Sequence, residues 1–174
     1  YRNMTITAIN ATNGRAVDIA NLASNDSLVN NIINAPTATG TGTTVVGIHA
    51  ANLAGGDHTI KGNTVNGGVT GIYFGSTTTS PSAYNFIDSN TVTGSYYYGI
   101  YNSNTRFTSV SKNTVTVAAP RNTTTYGIYL TSADSAYQVN NNKVDISGTT
   151  STAYGIYLTG CAADGYTGSV SGNR

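Results

Sequence analysis

"TTYGIYLTS" occupies residues 124–132 and, alone, reads as one buried strand. Its centre, Gly127-Ile128-Tyr129, returns 28 residues later in "STAYGIYLTG" (151–160), 28 earlier in "YYYGIYNSN" (96–104) and 28 before that in "VTGIYFGST" (69–77). Gly47-Ile48-His49 is a further copy, and Ala16-Val17-Asp18 in "RAVDIAN" a degenerate one. A triplet kept at a constant interval marks a stack of repeat units, none of which can bury its apolar face alone.

A second pattern alternates with the first: an apolar residue, two residues, Asn, one residue, then Val or Ile. It appears as "LVNNII" (28–33), "IKGNTV" (60–65), "IDSNTV" (87–92), "VSKNTV" (110–115) and "VNNNKV" (139–144), with a partial "VSGNR" (170–174). The asparagines are Asn31, Asn63, Asn90, Asn113, Asn142 and Asn173, five intervals over 142 residues, or about 28 each. Every repeat then holds three strands of about 3–5 residues. One carries Gly-Ile-Tyr, one ends at the apolar residue before Asn, and one follows Asn. Such strands are too short to stand alone, but equivalent ones can pair in parallel about 4.8 Å apart and share one core.

Composition agrees. Only 9% of the 174 residues are charged, against about 25% in an average soluble protein. All seven acids are Asp, Trp is absent, and Thr, Val, Ile and Tyr are punctuated by Gly and Asn, the chemistry of strands and turns. A net charge of +1 gives no footprint for nucleic acid, and no apolar run reaches membrane-spanning length.

On these two registers the chain resembles the right-handed parallel β-helix family, the fold of pectate lyases and many bacterial surface proteins. The resemblance covers nearly the whole of residues 1–174 and implies an all-β solenoid of about six coils, three short strands each. In that family an inward Asn sits at a sharp turn and stacks with its counterparts. A tight bend turns backbone polar groups toward the core, and an Asn side chain can satisfy them. The expectation is one β-helix segment of a longer chain, flanked by domains or further coils. Neither "YRNMTIT" nor "SVSGNR" offers a cap for an open solenoid end.

The candidate binding residues are Tyr73, Tyr101, Tyr129 and Tyr157, with His49 one coil earlier in the same column. Strand alternation predicts an outward, flat aromatic stripe able to stack on sugar rings or a protein partner; packing between like rings explains the same column without a ligand. Tyr98, Tyr126 and Tyr154 are expected inward or at a corner. The hydrolase relatives' Asp-Asp pair, Gly-His-Gly and Arg-x-Lys, and the lyase relatives' calcium and Arg-x-Pro signatures, do not occur here. Asp88 beside Lys61, and Asp145 beside Lys143, read as exposed ion pairs. Asp26, Asp57, Asp134 and Asp164 fall in loops, and His49 with His58 lacks a third metal ligand. Cys161 is expected to pack at a strand end. No catalytic residue, metal site or cofactor is assigned.

The expected function is therefore that of a non-enzymatic structural or adhesive solenoid from a secreted or cell-surface bacterial protein. Its partners would be a glycan or a surface protein, met along an exposed tyrosine ladder. The alternatives are a carbohydrate-active lyase or hydrolase of the same fold, and a passive secretion-cargo or spacer region.

Overall fold

A computed structural model describes residues 1–20, 23–40, 44–52, 55–117, 124–147, 152–161 and 165–174. Among these the chain is an all-β parallel solenoid without helix. It visits three sheets in strict rotation, six times over. The first sheet holds the strands that follow Asn: Thr5–Thr7, Ile32–Asn34, Thr64–Asn66, Thr91–Thr93, Thr114–Val117 and Lys143–Ile146. The second holds the triplet strands: Arg15–Ala20, Val46–Ala51, Thr70–Gly75, Tyr98–Arg106, Thr125–Asp134 and Ala153–Thr159. The third holds the strands that precede Asn: Ser27–Val29, Thr59–Lys61, Phe86–Asp88, Ser109–Ser111, Gln138–Asn140 and Ser169–Ser171. Every pairing between successive coils within these sheets is parallel, residue for equivalent residue, as in Ile87 beside Ile60 and Val110.

The second sheet departs from the expected strand length. Tyr98–Arg106 has 9 residues and Thr125–Asp134 has 10, so Asp134 ends a strand instead of lying in a loop. Ser82–Ala83 pairs with the far end of Tyr98–Arg106, where a turn interrupts the equivalent strand one coil earlier. Asp164 lies outside the described residues.

The core is a set of apolar rows, one from each sheet: Ile33, Val65, Val92 and Val115; Ile48, Ile72, Ile100 and Ile128; Leu28, Ile60, Ile87, Val110 and Val139. All are essentially without solvent access. The triplet glycines owe their place to these rows. A Cβ on Gly99 would collide with Val115 Cγ1 and lie 2.5 Å from the Gly127 carbonyl oxygen; Gly47, Gly71 and Gly127 face Val65, Val92 and Val144 in the same way. Ion pairs contribute little: Lys61 Nζ stands 3.5 Å from Asp88 Oδ2 on the surface.

The corner between the third and first sheets has one recipe. A residue in left-handed conformation turns the chain, and the next residue is the inward Asn. The turning residues are Asn30, Gly62, Ser89, Lys112, Asn141 and Gly172, with φ between 55° and 64°. Asn and Gly populate this region readily; Lys112 does so at a cost. The bend leaves backbone groups facing inward, and the following Asn answers them. Asn90 Oδ1 accepts the backbone N–H and the Nδ2–H of Asn63, both at 3.0 Å, while its own Nδ2 donates to Ile60 O at 2.8 Å and Asn113 Oδ1 at 3.0 Å. The same four-way pattern recurs at Asn63, Asn113 and Asn142; Asn31 to Asn142 are buried, and Asn173 is half-buried.

Candidate functional site

The outer face of the second sheet gathers seven of the chain's thirteen tyrosines. Residue-for-residue pairing sets Asp18, His49, Tyr73, Tyr101, Tyr129 and Tyr157 in one row. A second row, three positions earlier in each strand, runs Arg15, Val46, Thr70, Tyr98, Tyr126 and Tyr154. In each of the last three coils the Gly and Ile of the triplet lie between the two tyrosines. The strand does not alternate strictly there, and both rings emerge on the same side. This corrects the expectation that Tyr98, Tyr126 and Tyr154 lie inward or at a corner.

The two rows form one aromatic surface. Tyr101 and Tyr129 stack with centroids 5.0 Å apart and planes 6° apart, Tyr98 and Tyr126 at 5.2 Å and 23°, and Tyr126 and Tyr154 at 5.2 Å and 12°. Across the rows Tyr98 stacks on Tyr101 at 4.7 Å and Tyr126 on Tyr129 at 5.0 Å. The surface is neither fully exposed nor flat. Tyr73, Tyr101, Tyr129 and Tyr157 are half-buried, Tyr73 meets Tyr101 edge-on at 77°, and Tyr157 is tilted 51° from Tyr129. Rings of two rows crowding one another tip individual members out of plane, which a single column would not require. Burial, together with neighbouring phenols, pushes the Tyr98, Tyr101 and Tyr126 hydroxyls above the ordinary tyrosine range, so they remain neutral hydrogen-bonding groups.

At the N-terminal end the rows become polar. His49 stacks on Tyr73 at 5.1 Å and 13°, and its Nδ1 lies 2.8 Å from Asp18 Oδ1. The other Asp18 oxygen accepts from Arg15 Nη1 at 2.8 Å. Burial holds the His49 pKa below the usual imidazole value although Asp18 pulls it upward. Burial would raise Asp18, but the hydrogen bonds from His49 and Arg15 outweigh it and leave the carboxyl below its ordinary value. His49 is thus neutral near pH 7, with Asp18 ionised. The binding candidates read from the sequence, His49 and four tyrosines, share this face. Asp18, Arg15 and the second tyrosine row were missed as part of it. The degenerate triplet Ala16-Val17-Asp18 already put Asp18 in register with His49, and that was the available signal.

Between the aromatic and polar ends lies an open cleft of about 240 Å³ lined by Arg15, Val46, His49, Thr70, Tyr73, Tyr98 and Tyr101. It exists because the second row drops from Tyr98 to Thr70 and Val46, small residues in slots that tyrosine fills in the next three coils. A larger hollow of about 470 Å³ opens at the first coil, lined by Met4, Ile6, Val17, Ile19 and Leu28 among others. That hollow continues the apolar core rows, and its lining also includes Asp18 and Asp26.

His58 is elsewhere, inside the solenoid, with its ring edge-on to Phe74 at 5.6 Å and its Nδ1 3.4 Å from Asp26 Oδ2. Among the described residues no three of His, Cys, Asp and Glu come together as a metal site. No helix of the described residues is long and apolar enough to cross a membrane. Cys161 is half-buried near the end of the last triplet strand, its Sγ 3.7 Å from Leu130 O, and burial raises its thiol pKa.

No protein-family model matches the chain, and no curated protein does. Among solved structures it is similar to the Dettilon tailspike protein at 15% identity and a TM-score of 0.44, over 87% of this chain. The chain spans 40% of the length of that tailspike, and no residue role follows from the likeness.

Proposed function

We propose that the chain is a structural and adhesive β-solenoid segment of a secreted or cell-surface bacterial protein. It binds glycan chains weakly and repeatedly along the second sheet. The double row of tyrosines carries this reading: seven rings at roughly strand spacing, with hydroxyls at their rims, match the alternating C–H faces and hydroxyl edges of consecutive sugar units. The sparsely charged, Thr-, Ser- and Asn-rich remainder of the chain supports an extracellular setting.

A non-enzymatic role is favoured by the chemistry lining the cleft. Glycoside hydrolysis uses two carboxyl groups about 5–9.5 Å apart across the scissile bond. The cleft lining contains no carboxylate, and Asp18, the nearest by sequence register, already holds Arg15 and His49. The test is co-sedimentation of the purified chain with a panel of insoluble and capsular polysaccharides. Retention should fall several-fold in the Tyr101→Ser/Tyr129→Ser double variant while its thermal transition remains cooperative. Retention unchanged in that variant sinks the adhesive reading. Release of reducing or unsaturated sugar ends that one Asp→Asn change abolishes would establish the lyase or hydrolase alternative.

A further inference from the structure

Resting on the reading of the tyrosine rows as a sugar-binding surface, the geometry points to the Thr70 notch as a discrete end site for a single uncharged pyranose. The rows farther along would hold further units only loosely.

The notch differs from the rest of the face in being walled. Tyr98 closes one end, held by Tyr126 at 5.2 Å and Tyr101 at 4.7 Å. Tyr73, Tyr101 and His49 form the long side, and Arg15 stands at the other end. Val46 and Thr70, nearly without solvent access, make the floor. Drug-sized ligands occupy cavities of about 300–1,000 Å³. At about 240 Å³ this cleft takes one six-membered ring and no more.

The preference for an uncharged sugar follows from how the charges are already matched. Arg15 is the only ionised group in the lining, and Asp18 Oδ2 neutralises it at 2.8 Å. An anionic sugar would compete with Asp18 for the guanidinium. A neutral sugar gives up nothing, because one Arg15 N–H serves Asp18 and the others remain available to ring hydroxyls. With His49 neutral and its Nδ1 engaged by Asp18, its Nε2 is left as an acceptor, so the polar end offers both hydrogen-bonding roles to adjacent hydroxyls. Asp18 acts here as a positioning residue for both.

The experiment is saturation-transfer NMR and titration of the chain with methyl hexopyranosides and the matching methyl uronates. Saturable binding in the millimolar range is expected for at least one neutral glycoside, at least fivefold tighter than for its uronate. Thr70→Tyr, which puts into the notch the residue its own repeat slot carries in the next three coils, should weaken binding tenfold or more. Arg15→Gln should weaken it several-fold without disturbing the rows. Phe86→Ser, at an exposed ring on the third sheet and away from the tyrosine rows, should leave monosaccharide binding unchanged. Binding that survives Thr70→Tyr, or a uronate preferred over the neutral glycoside, overturns the assignment. Polysaccharide retention that depends on Tyr101 and Tyr129 without any monosaccharide binding removes the notch and leaves the adhesive surface standing. Loss of both removes the surface reading itself.

Discussion

Replacing Asn90 by alanine withdraws four hydrogen bonds from a position with no solvent access. Some of the partners are covered: Asn63 Nδ2 still donates to Leu28 O at 2.9 Å, and Asn113 Oδ1 still accepts the backbone N–H of residue 90 at 2.9 Å. Two groups are not. The buried Asn63 backbone N–H loses its acceptor, and the Ile60 carbonyl loses the donor that reached it from the side. An unsatisfied buried group costs about 1–3 kcal/mol, so the pair should cost about 2–6 kcal/mol, a large part of a typical domain's stability. Asn173→Ala removes three bonds, two accepted from Asn142 and one donated to Val139 O, at a half-buried position where water can replace them, and should cost under about 1 kcal/mol. Urea unfolding followed by circular dichroism measures both, provided the slope with denaturant is unchanged. Asn90→Asp sharpens the comparison. A carboxylate can accept from Asn63, but its second oxygen would face Ile60 O and Asn113 Oδ1, acceptor against acceptor. That variant should therefore gain stability as falling pH protonates it and restores a donor. Equal costs at Asn90 and Asn173 would refute the claim that buried turn groups, and not side-chain volume, make the Asn column necessary.

Gly99→Ala should destabilise by about 1–3 kcal/mol, because its Cβ meets Val115 and the Gly127 backbone, whereas Gly155→Ala, with open space around it, should be near neutral; equal thermal shifts would contradict the steric account. Lys112→Gly should stabilise by about 0.5–1 kcal/mol, since the left-handed corner it occupies at φ 57° is the one that Gly62 and Gly172 turn freely, and a lowered urea midpoint would show the corner to be unstrained. The His49 and His58 pKa values are both depressed, by burial first, with Asp18 and Asp26 opposing. The unfolded chain therefore binds more protons than the folded one as pH falls, so stability should be full above the ordinary imidazole value of 6.5 and decline as pH drops through it. His58→Phe should flatten that decline, and a melting temperature that rises on acidification would reverse the sign.

The parallel solenoid and its coil count were legible because each rests on a local rule repeated many times. A 28-residue interval, an apolar residue in step with it and an Asn at each turn leave few other ways to bury Ile72, Ile100 and Ile128 together. Short-range patterning also put Tyr73, Tyr101, Tyr129, Tyr157 and His49 in one column. It misplaced Tyr98, Tyr126 and Tyr154 because strict alternation was assumed across the triplet. In the fold, the triplet glycine is dictated by a valine of the neighbouring sheet, one side-chain contact away in space and 16 or more residues away in sequence, as with Gly99 and Val115. Only the closed coil brings those atoms together. The same holds for the cleft. Arg15, His49, Thr70 and Tyr98 come from four successive coils, and a missing tyrosine at Thr70 becomes a cavity only when the rings on the coils above and beside it stand around the gap. Periodicity in one dimension determines which residues share a row. The depth of a surface, the tilt of its rings and the pairing of Asp18 with both Arg15 and His49 are set by side chains meeting across coils, which only the tertiary structure decides.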